Sequence, residues 1–195
     1  MRLRALAKIN LGLDIIGKRE DGYHEVRMIM QTIQMYDVLD IRKTKRPGIS
    51  LSTNLPYIPT DERNLVYKAA KLLMDEFQLK EGLNIKLAKS IPVAAGMAGG
   101  SSDAAAAFVG VNRIFNLGLS EEELMERAVK VGADVPYCIM RGTALAEGIG
   151  EKLTWIPQMP KCGVLIGKPG VSVSTRMAYE SISMDGIEKH PDIDG

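Results

Sequence analysis

The chain has few cysteines, no long apolar run and almost no net charge, and each shortage excludes a class of protein. Cys138 and Cys162 are the only cysteines in 195 residues and match no metal-ligand spacing, so we expect a reducing compartment, the cytoplasm. No run approaches the 18 apolar residues of a membrane span, and Lys8 and Asn10 interrupt the N-terminal apolar stretch in a way that signal peptides do not. A net charge of +1 creates no field that would gather nucleic acid or a membrane surface, so any anion has to be bound locally.

The most informative segment that is present reads PVAAGMAGGSSDAAAA, at residues 92–107. Glycine lets a polyanion approach the backbone and reaches positive φ without strain, and the alanines that follow predict a helix whose start offers unpaired N–H donors. Such a site suits a phosphate group, although neither the P-loop pattern nor G-x-G-x-x-G is present. The alternative is a tight strand-to-helix turn that binds nothing. Asp103 is ambiguous, because its carboxylate stabilises a helix start but repels phosphate.

Asp134 and Lys8 are the candidates for catalysis. Asp134, in Gly-Ala-Asp-Val-Pro, is predicted just past a helix end, where a negative charge is unfavourable, so it calls for a nearby cation or a function such as general base. Lys8 shares a strand face with Asn10 and could supply that cation. The structural alternatives are an Asx-turn for Asp134 and a solvated strand face for Lys8 and Asn10.

Three aromatic residues are candidates for ligand contact. Tyr23 and His24 follow a turn, where binding residues are common, but ordinary packing at the start of a hairpin is equally possible. Tyr179 is either a core residue or a stacking surface. No second histidine lies nearby to form a metal pair, since His190 is in the tail.

Hydrophobic periodicity predicts a mixed α and β fold. In the first strand, residues 5–15, apolar and polar side chains alternate strictly. The other predicted elements are strands at 25–42, 83–87, 137–147 and 162–167, a short strand within 46–62, and helices at 64–77, 101–115 and from Ser120, the last with a capping box and a C-cap at Gly132.

Five strings in this order resemble the GHMP kinases: AKINLGLDIIGKREDGYHE, DERNLVYKAAKLL, IPVAAGMAGGSSDAAAAF, GADVPYC and KPGVSVST. The resemblance implies a two-layer α/β fold of the ribosomal protein S5 domain 2-like type. It further implies an ATP-binding amino-terminal domain at 1–154 and an incomplete start of a ferredoxin-like carboxy-terminal domain at 155–195. Alanine stands at 94, 95 and 98, where many relatives have glycine, which narrows the backbone freedom of the loop.

The resemblance also implies roles for individual residues. Lys8 and Asp134 match the catalytic pair, and Asn10, Tyr23 and His24 match positions on the substrate side. Tyr179 matches a position that stacks on cytosine. The remaining matches, to ATP-binding positions, are Asn64, Lys89 and the phosphate loop Pro92, Val93, Ala94, Ala95, Gly96, Met97, Ala98, Gly99, Gly100, Ser101 and Ser102. A hydroxyl of Ser101 or Ser102 could also reach Mg²⁺, but the metal ligands are not identified.

The implied reaction is transfer of the ATP γ-phosphoryl group, assisted by Mg²⁺, to the 2-hydroxyl of a cytidine diphosphate-linked methylerythritol. Such a transfer needs mainly positioning and charge neutralisation from the protein. Two alternatives stay open: a kinase of the same family that acts on homoserine or mevalonate, and a nucleotide-binding fragment without activity. We expect no nucleic-acid or membrane partner; the oligomeric state is not indicated.

Overall fold

The computed structural model describes residues 1–168, 170, 178–179, 181–182 and 189–193. It contains one sheet with a layer of helices on one face, which confirms the predicted mixed α and β class. Within the described ranges, no helix is both long and apolar enough to cross a bilayer. The elements are β1 Arg2–Lys18, β2 His24–Thr44, β3 Ile49–Thr53, α1 Leu65–Glu76, β4 Gly82–Ala88, α2 Gly99–Phe115, α3 Glu121–Ala128, α4 Val135–Met140, β5 Thr143–Gly148 and β6 Lys152–Trp155.

The long strand β2 organises the sheet. One edge of β2 pairs antiparallel with β1 along almost its whole length. Its other edge is shared, because residues 38–44 pair with β4 and residues 26–31 pair with β5. β3 adds to β4 in parallel, and β6 adds to β5 antiparallel. The gap between β4 and β5 on this edge leaves room beside β2 for the chain that connects β4 to α2.

The strict alternation predicted for the first strand is wrong, because β1 contains irregular pairings with β2. The register shifts between Leu6 and Lys8, and again further along the strand. Ala7 and Lys8 are therefore both buried although they are neighbours, as is common at a bulge, where the extra residue breaks the two-residue period. The backbone N–H of Lys8 donates to the carbonyl of Met97 at 3.2 Å. The bulge thus attaches β1 to the segment before α2.

The helix α2 is the centre of the helical layer. It packs against α1 and α4 on its sides and against β1 and β2 below. Its four successive alanines are buried, and Gly110 lies so close to the sheet that a Cβ there would come within 2.4 Å of Ile41 Cδ1. Small side chains therefore bring the start of α2 close to the strands, and large ones such as Phe108 and Leu73 fill the space around it.

Three sequence-based predictions of elements are wrong. Residues 137–140 belong to α4 instead of a strand. All six α4 residues are buried and Pro136 lies in the first turn of the helix. The prediction failed because a short apolar run is compatible with either a buried strand or a buried helix. The helix from Ser120 has the predicted capping box but ends at Ala128 instead of near Gly132. No strand occurs at 162–167, whereas the short strand β6 was missed.

The division into domains at residue 154 stays a prediction. The strand β6 ends at Trp155, one residue beyond the predicted boundary. Most of the KPGVSVST string lies outside the described residues, and of the last part of the chain only short pieces, including helical Ala178 and Tyr179, are described.

Candidate active site

A cavity of about 1120 Å³ lies where the β1–β2 hairpin, the start of α1 and the segment before α2 meet. This volume exceeds that of a typical small-molecule pocket, about 300–1,000 Å³. All the predicted site residues except one line it. They are Lys8, Asn10, Tyr23, His24, Asn64, Lys89, Pro92, Val93, Ala94, Ala95, Gly96, Met97, Ala98, Gly99, Gly100, Ser101, Asp134 and Tyr179. The exception is Ser102.

Residues 92–98, the part of the predicted phosphate loop that precedes α2, have the geometry of an anion-binding site; the name phosphate loop is kept for these residues from here on. Positive φ recurs at every second residue, with 53° at Ala94, 71° at Gly96 and 50° at Ala98. In such a chain, successive N–H groups turn toward one side and form a concave anion site. No side chain caps the start of α2. Its first amides, of residues 99–101, donate to no acceptor among the described residues and remain available to a ligand.

The two serines that follow the loop have different roles in the structure. Ser101 lines the cavity. Ser102 is buried; its hydroxyl donates to the carbonyl of Leu6 at 2.6 Å and contacts Cys138 Sγ at 3.3 Å. Its amide donates to the carbonyl of Ala98. The interpretation of Ser102 as a phosphate ligand therefore has no geometric support, because both its donors are already engaged within the protein.

Lys8 and Asp134 face each other across one wall of the cavity. Lys8 Nζ lies 3.9 Å from Asp134 Oδ2 and donates to Asn10 Oδ1 at 2.9 Å. The Lys8 side chain is buried, whereas about a third of the Asp134 side chain is exposed to the cavity. Asp134 lies at the N-cap of α4, where a helix start favours negative charge. The expectation that it follows a helix end in an unfavourable field is therefore wrong.

The aromatic candidates lie at one end of the cavity. The rings of His24 and Tyr179 are 5.4 Å apart and tilted by 34°, and His24 is largely buried. Burial raises the pKa of the Tyr179 hydroxyl, and the Asp134 carboxylate raises it further. Tyr23 is 59% exposed and so has space for a ligand.

Asn64 lines the cavity, but both the oxygen and the nitrogen of its side-chain amide are hydrogen-bonded within the protein. Its Oδ1 accepts the N–H of Val66 at 2.9 Å and its Nδ2 donates to the carbonyl of Pro59 at 2.7 Å. An N-cap of this kind stabilises the helix by about 1 kcal/mol. Asn64 therefore fixes the start of α1, and the apolar side chains of Ile58, Leu65 and Leu87 also line the cavity.

Sequence reasoning missed the buried partners of Lys89. Its Nζ donates to Asp37 Oδ2 and, at 2.7 Å, to Asp103 Oδ2. Asp37 also accepts the N–H groups of Ser90 and Ile91. Burial raises the pKa of Asp103 to about 8. For Lys89, burial alone would lower the pKa, but the two carboxylates outweigh it and the pKa is raised. The available signal for Asp37 was its register, because it lies two residues before Leu39 and four before Ile41, on the strand face that these buried apolar side chains occupy.

No cluster of three or more potential ligands that could hold a metal ion occurs among the described residues. The described residues therefore suit a Mg²⁺ ion that is bound mainly by nucleotide phosphates and water, with one or two ligands from the protein. Among the side chains that line the cavity, Ser101 and Asp134 bear oxygens that could take such a role.

Comparison with known proteins identifies the family. The GHMP kinases N terminal domain model matches residues 64–142. A 4-diphosphocytidyl-2-C-methyl-D-erythritol kinase of Lachnospira eligens is 56% identical over 195 residues, which is 100% of this chain and 68% of that protein. The chain belongs to the GHMP kinases, in the branch of the 4-diphosphocytidyl-2-C-methyl-D-erythritol kinases. The family prediction is confirmed, and with it the enzyme class, phosphotransferases with an alcohol acceptor.

Further relatives agree with this assignment. The same enzyme of Lachnoclostridium phytofermentans is 59% identical over 193 residues, which is 99% of this chain and 66% of that protein. A crystal structure of 4-(cytidine 5'-diphospho)-2C-methyl-D-erythritol kinase aligns with a TM-score of 0.76 at 31% identity, covering 95% of this chain and 65% of that one. The Methanococcus jannaschii mevalonate kinase shares the fold, with a TM-score of 0.63 at 18% identity over 80% of this chain and 56% of that one. The chain spans about two thirds of the length of its curated relatives.

Proposed function

We propose that this GHMP kinase transfers the γ-phosphoryl group of ATP to the 2-hydroxyl of 4-diphosphocytidyl-2-C-methyl-D-erythritol, with Asp134 as general base and Lys8 as its partner. The observation that carries the proposal is the 3.9 Å ion pair between these side chains. Lys8 and Asp134 line the same cavity as the phosphate loop. The names of the most similar relatives supply the substrate.

The phosphate end of the site supports ATP as donor. The alternating positive φ values of the loop and the free amides at the start of α2 offer hydrogen bonds to phosphate oxygens. Next to them, Ile58, Leu65 and Leu87 provide an apolar region that suits a purine base. Mg²⁺, when bound, would neutralise part of the phosphate charge, with Ser101 or Asp134 as the protein groups able to reach it.

The acid–lysine pair supports proton removal from the acceptor alcohol. Asp134 is partly exposed to the cavity and can accept the hydroxyl proton on its free carboxylate oxygen. Lys8 balances the charge of Asp134 and places positive charge near the oxygen on which negative charge develops. Asn10 accepts a hydrogen bond from the Lys8 ammonium group and so fixes its direction. Positioning and charge neutralisation are what phosphoryl transfer requires from a protein.

The aromatic end of the cavity supports the cytidine part of the substrate. Tyr23 is exposed, and His24 and Tyr179 form a pair of rings beside it. Aromatic faces bind nucleobases by stacking, which is worth about 1–3 kcal/mol per base. Binding of cytidine diphosphate in competition with the substrate tests this assignment. A kinase specific for homoserine or mevalonate would show no such competition.

The substitution Asp134→Asn tests the chemistry. It keeps the size of the side chain but removes the base, so we expect turnover to fall by about 100-fold or more, while calorimetry still detects ATP binding. Asp75→Asn is the matched control, since it removes the same charge from an exposed ion pair with Lys71 on α1. Unchanged turnover in Asp134→Asn would exclude Asp134 as the base. ATP binding with no turnover in the parent chain would instead favour the nucleotide-binding fragment.

A further inference from the structure

A buried charged triad lies below the phosphate loop, and the proposed mechanism does not use it. It consists of Asp37, Lys89 and Asp103, whose side chains are respectively 0%, 5% and 3% exposed. The Lys89 ammonium group donates to both carboxylates. Burying three ionisable groups is costly, and a buried ionic network of this kind often adds less stability than apolar residues would. A gain in stability alone therefore does not account for the triad.

The three residues come from the three elements that meet at the loop. Asp37 is in the middle of β2, Lys89 follows the last residue of β4, and Asp103 is in the second turn of α2. The second oxygen of Asp37 accepts the N–H groups of Ser90 and Ile91, the two residues that precede the loop. The triad therefore ties the start of the loop, its end and the central strand to one another.

Gly99 makes this arrangement possible. A Cβ at this position would lie 3.1 Å from Lys89 Nζ and 3.1 Å from Ile91 Cγ2, closer than most real Cβ contacts. The ammonium group thus passes directly beside the first helical residue to reach Asp103. The absence of a side chain at Gly99 allows the triad and the amide donors at the helix start to occupy the same small volume.

This geometry also explains why Lys89 is poorly placed to bind phosphate itself. An ammonium group has three N–H donors, and in Lys89 two of them are committed to carboxylates. The positive charge is balanced by its neighbours and largely hidden from solvent. A lysine that contacts phosphate directly would instead present its charge to the cavity.

We infer that the Asp37–Lys89–Asp103 triad is a positioning network that holds the phosphate loop in its anion-binding conformation, with Lys89 acting through the two carboxylates and not as a phosphate ligand. The inference rests on the proposed function in so far as the ligand is ATP. It concerns the conformation of the loop, however, which exists without any ligand.

The substitution Asp37→Asn distinguishes positioning from direct electrostatics, because the two predict effects of opposite sign. Removing a negative charge near a polyanion should tighten ATP binding if charge alone matters. If the triad positions the loop, ATP binding should weaken, by about tenfold, as removal of a supporting hydrogen-bond partner does at other preorganised sites. The KM for ATP should rise with it, while the KM for the alcohol substrate stays the same.

The measurements are calorimetric ATP binding and amide hydrogen exchange of residues 93–101 in the protein without nucleotide. Asp75→Asn, which removes an equal charge from the exposed surface of α1, is the control and should change neither. Faster loop exchange with weaker binding, and unchanged exchange in α1 and α3, supports the inference. Unchanged loop exchange, or ATP binding that is equal or tighter, overturns it.

If Asp37→Asn fails to fold, Asp103→Asn replaces it, because this variant leaves the amide contacts of Asp37 intact. Because the pKa of Asp103 is about 8, this variant removes little charge at pH 7; faster loop exchange with weaker ATP binding then supports the inference, and unchanged loop exchange overturns it. Failure of the proposed function would look different: the parent chain itself would not bind ATP, while the loop exchange experiment would still report whether the triad holds the loop.

Discussion

Two alanines of the phosphate loop adopt a backbone conformation that alanine disfavours, and glycine at the exposed one should stabilise the protein. Ala94 has φ of 53° and Ala98 has φ of 50°. The left-handed region costs an L-residue roughly 1–2 kcal/mol, which glycine does not pay. Glycine also increases the freedom of the unfolded chain, which offsets about 0.4–1 kcal/mol. The expected net gain for Ala94→Gly is therefore roughly 0.5–1 kcal/mol.

Ala94 is the better site for the test because its side chain is exposed, whereas Ala98 packs partly against the core and its methyl contacts would be lost. Ala95 lies between them and does not have a positive φ, so Ala95→Gly is the matched control. It should destabilise the protein by at least about 0.4–1 kcal/mol, since no strain is relieved to offset the unfolded-state effect and the methyl contacts of Ala95 with a buried apolar cluster are also lost.

Thermal or urea unfolding without nucleotide measures both variants. For a chain of this size, 1 kcal/mol corresponds to about 2–4 °C in Tm, so Ala94→Gly and Ala95→Gly should shift Tm in opposite directions. Equal losses in the two variants would refute the reasoning. In that case the loop would not hold residue 94 in the left-handed region, and the alternating geometry of the cradle would be wrong.

Two more predictions concern residues at the start of α2. Ser102→Ala should lower the free energy of unfolding by about 1 kcal/mol, because it removes the hydrogen bond to Leu6, and should leave ATP affinity unchanged. Ser101→Ala should weaken ATP binding and leave the free energy of unfolding unchanged. Urea unfolding and calorimetry measure the two quantities, and weaker ATP binding in Ser102→Ala alone would contradict the prediction. Burial raises the pKa of Asp103 from its ordinary value of 3.8 to about 8, so the stability of the parent chain should fall as pH rises between these values. The stability of Asp103→Asn should lack this part of the pH dependence. A difference in the free energy of unfolding between the two proteins that is the same at pH 5 and pH 8 would contradict the prediction.

Local patterns in the sequence were sufficient for much of the site. The glycine–serine segment before an alanine helix predicted an anion cradle, and the structure gives it left-handed residues and free amides. Lys8 and Asn10 were expected on one strand face and are hydrogen-bonded to each other. The capping box at Ser120 is also present. Each of these features depends on residues close in sequence, so a periodic or capping pattern is enough to find it.

The features that were missed depend on contacts between distant parts of the chain. Asp37 and Lys89 are 52 residues apart, and no local pattern indicates that a strand aspartate will meet the residue after another strand. The bulge at Ala7 arises from irregular pairing with β2, which the apolar alternation of β1 does not reveal. The helix α4 was taken for a strand because six consecutive buried residues lack any period.

The bulge at Ala7 also explains how the two halves of the site keep a fixed spacing. On one side of Ala7, the carbonyl of Leu6 accepts the hydroxyl of Ser102 in α2. On the other side, the N–H of Lys8 donates to the carbonyl of Met97 in the loop. The start of α2 and the phosphate loop are therefore attached to β1 on either side of Ala7, next to Lys8. The proposed phosphoryl transfer depends on the relative placement of donor and acceptor. Because of this attachment, a shift of the loop would move the proposed phosphate site and Lys8 together and so preserve their spacing.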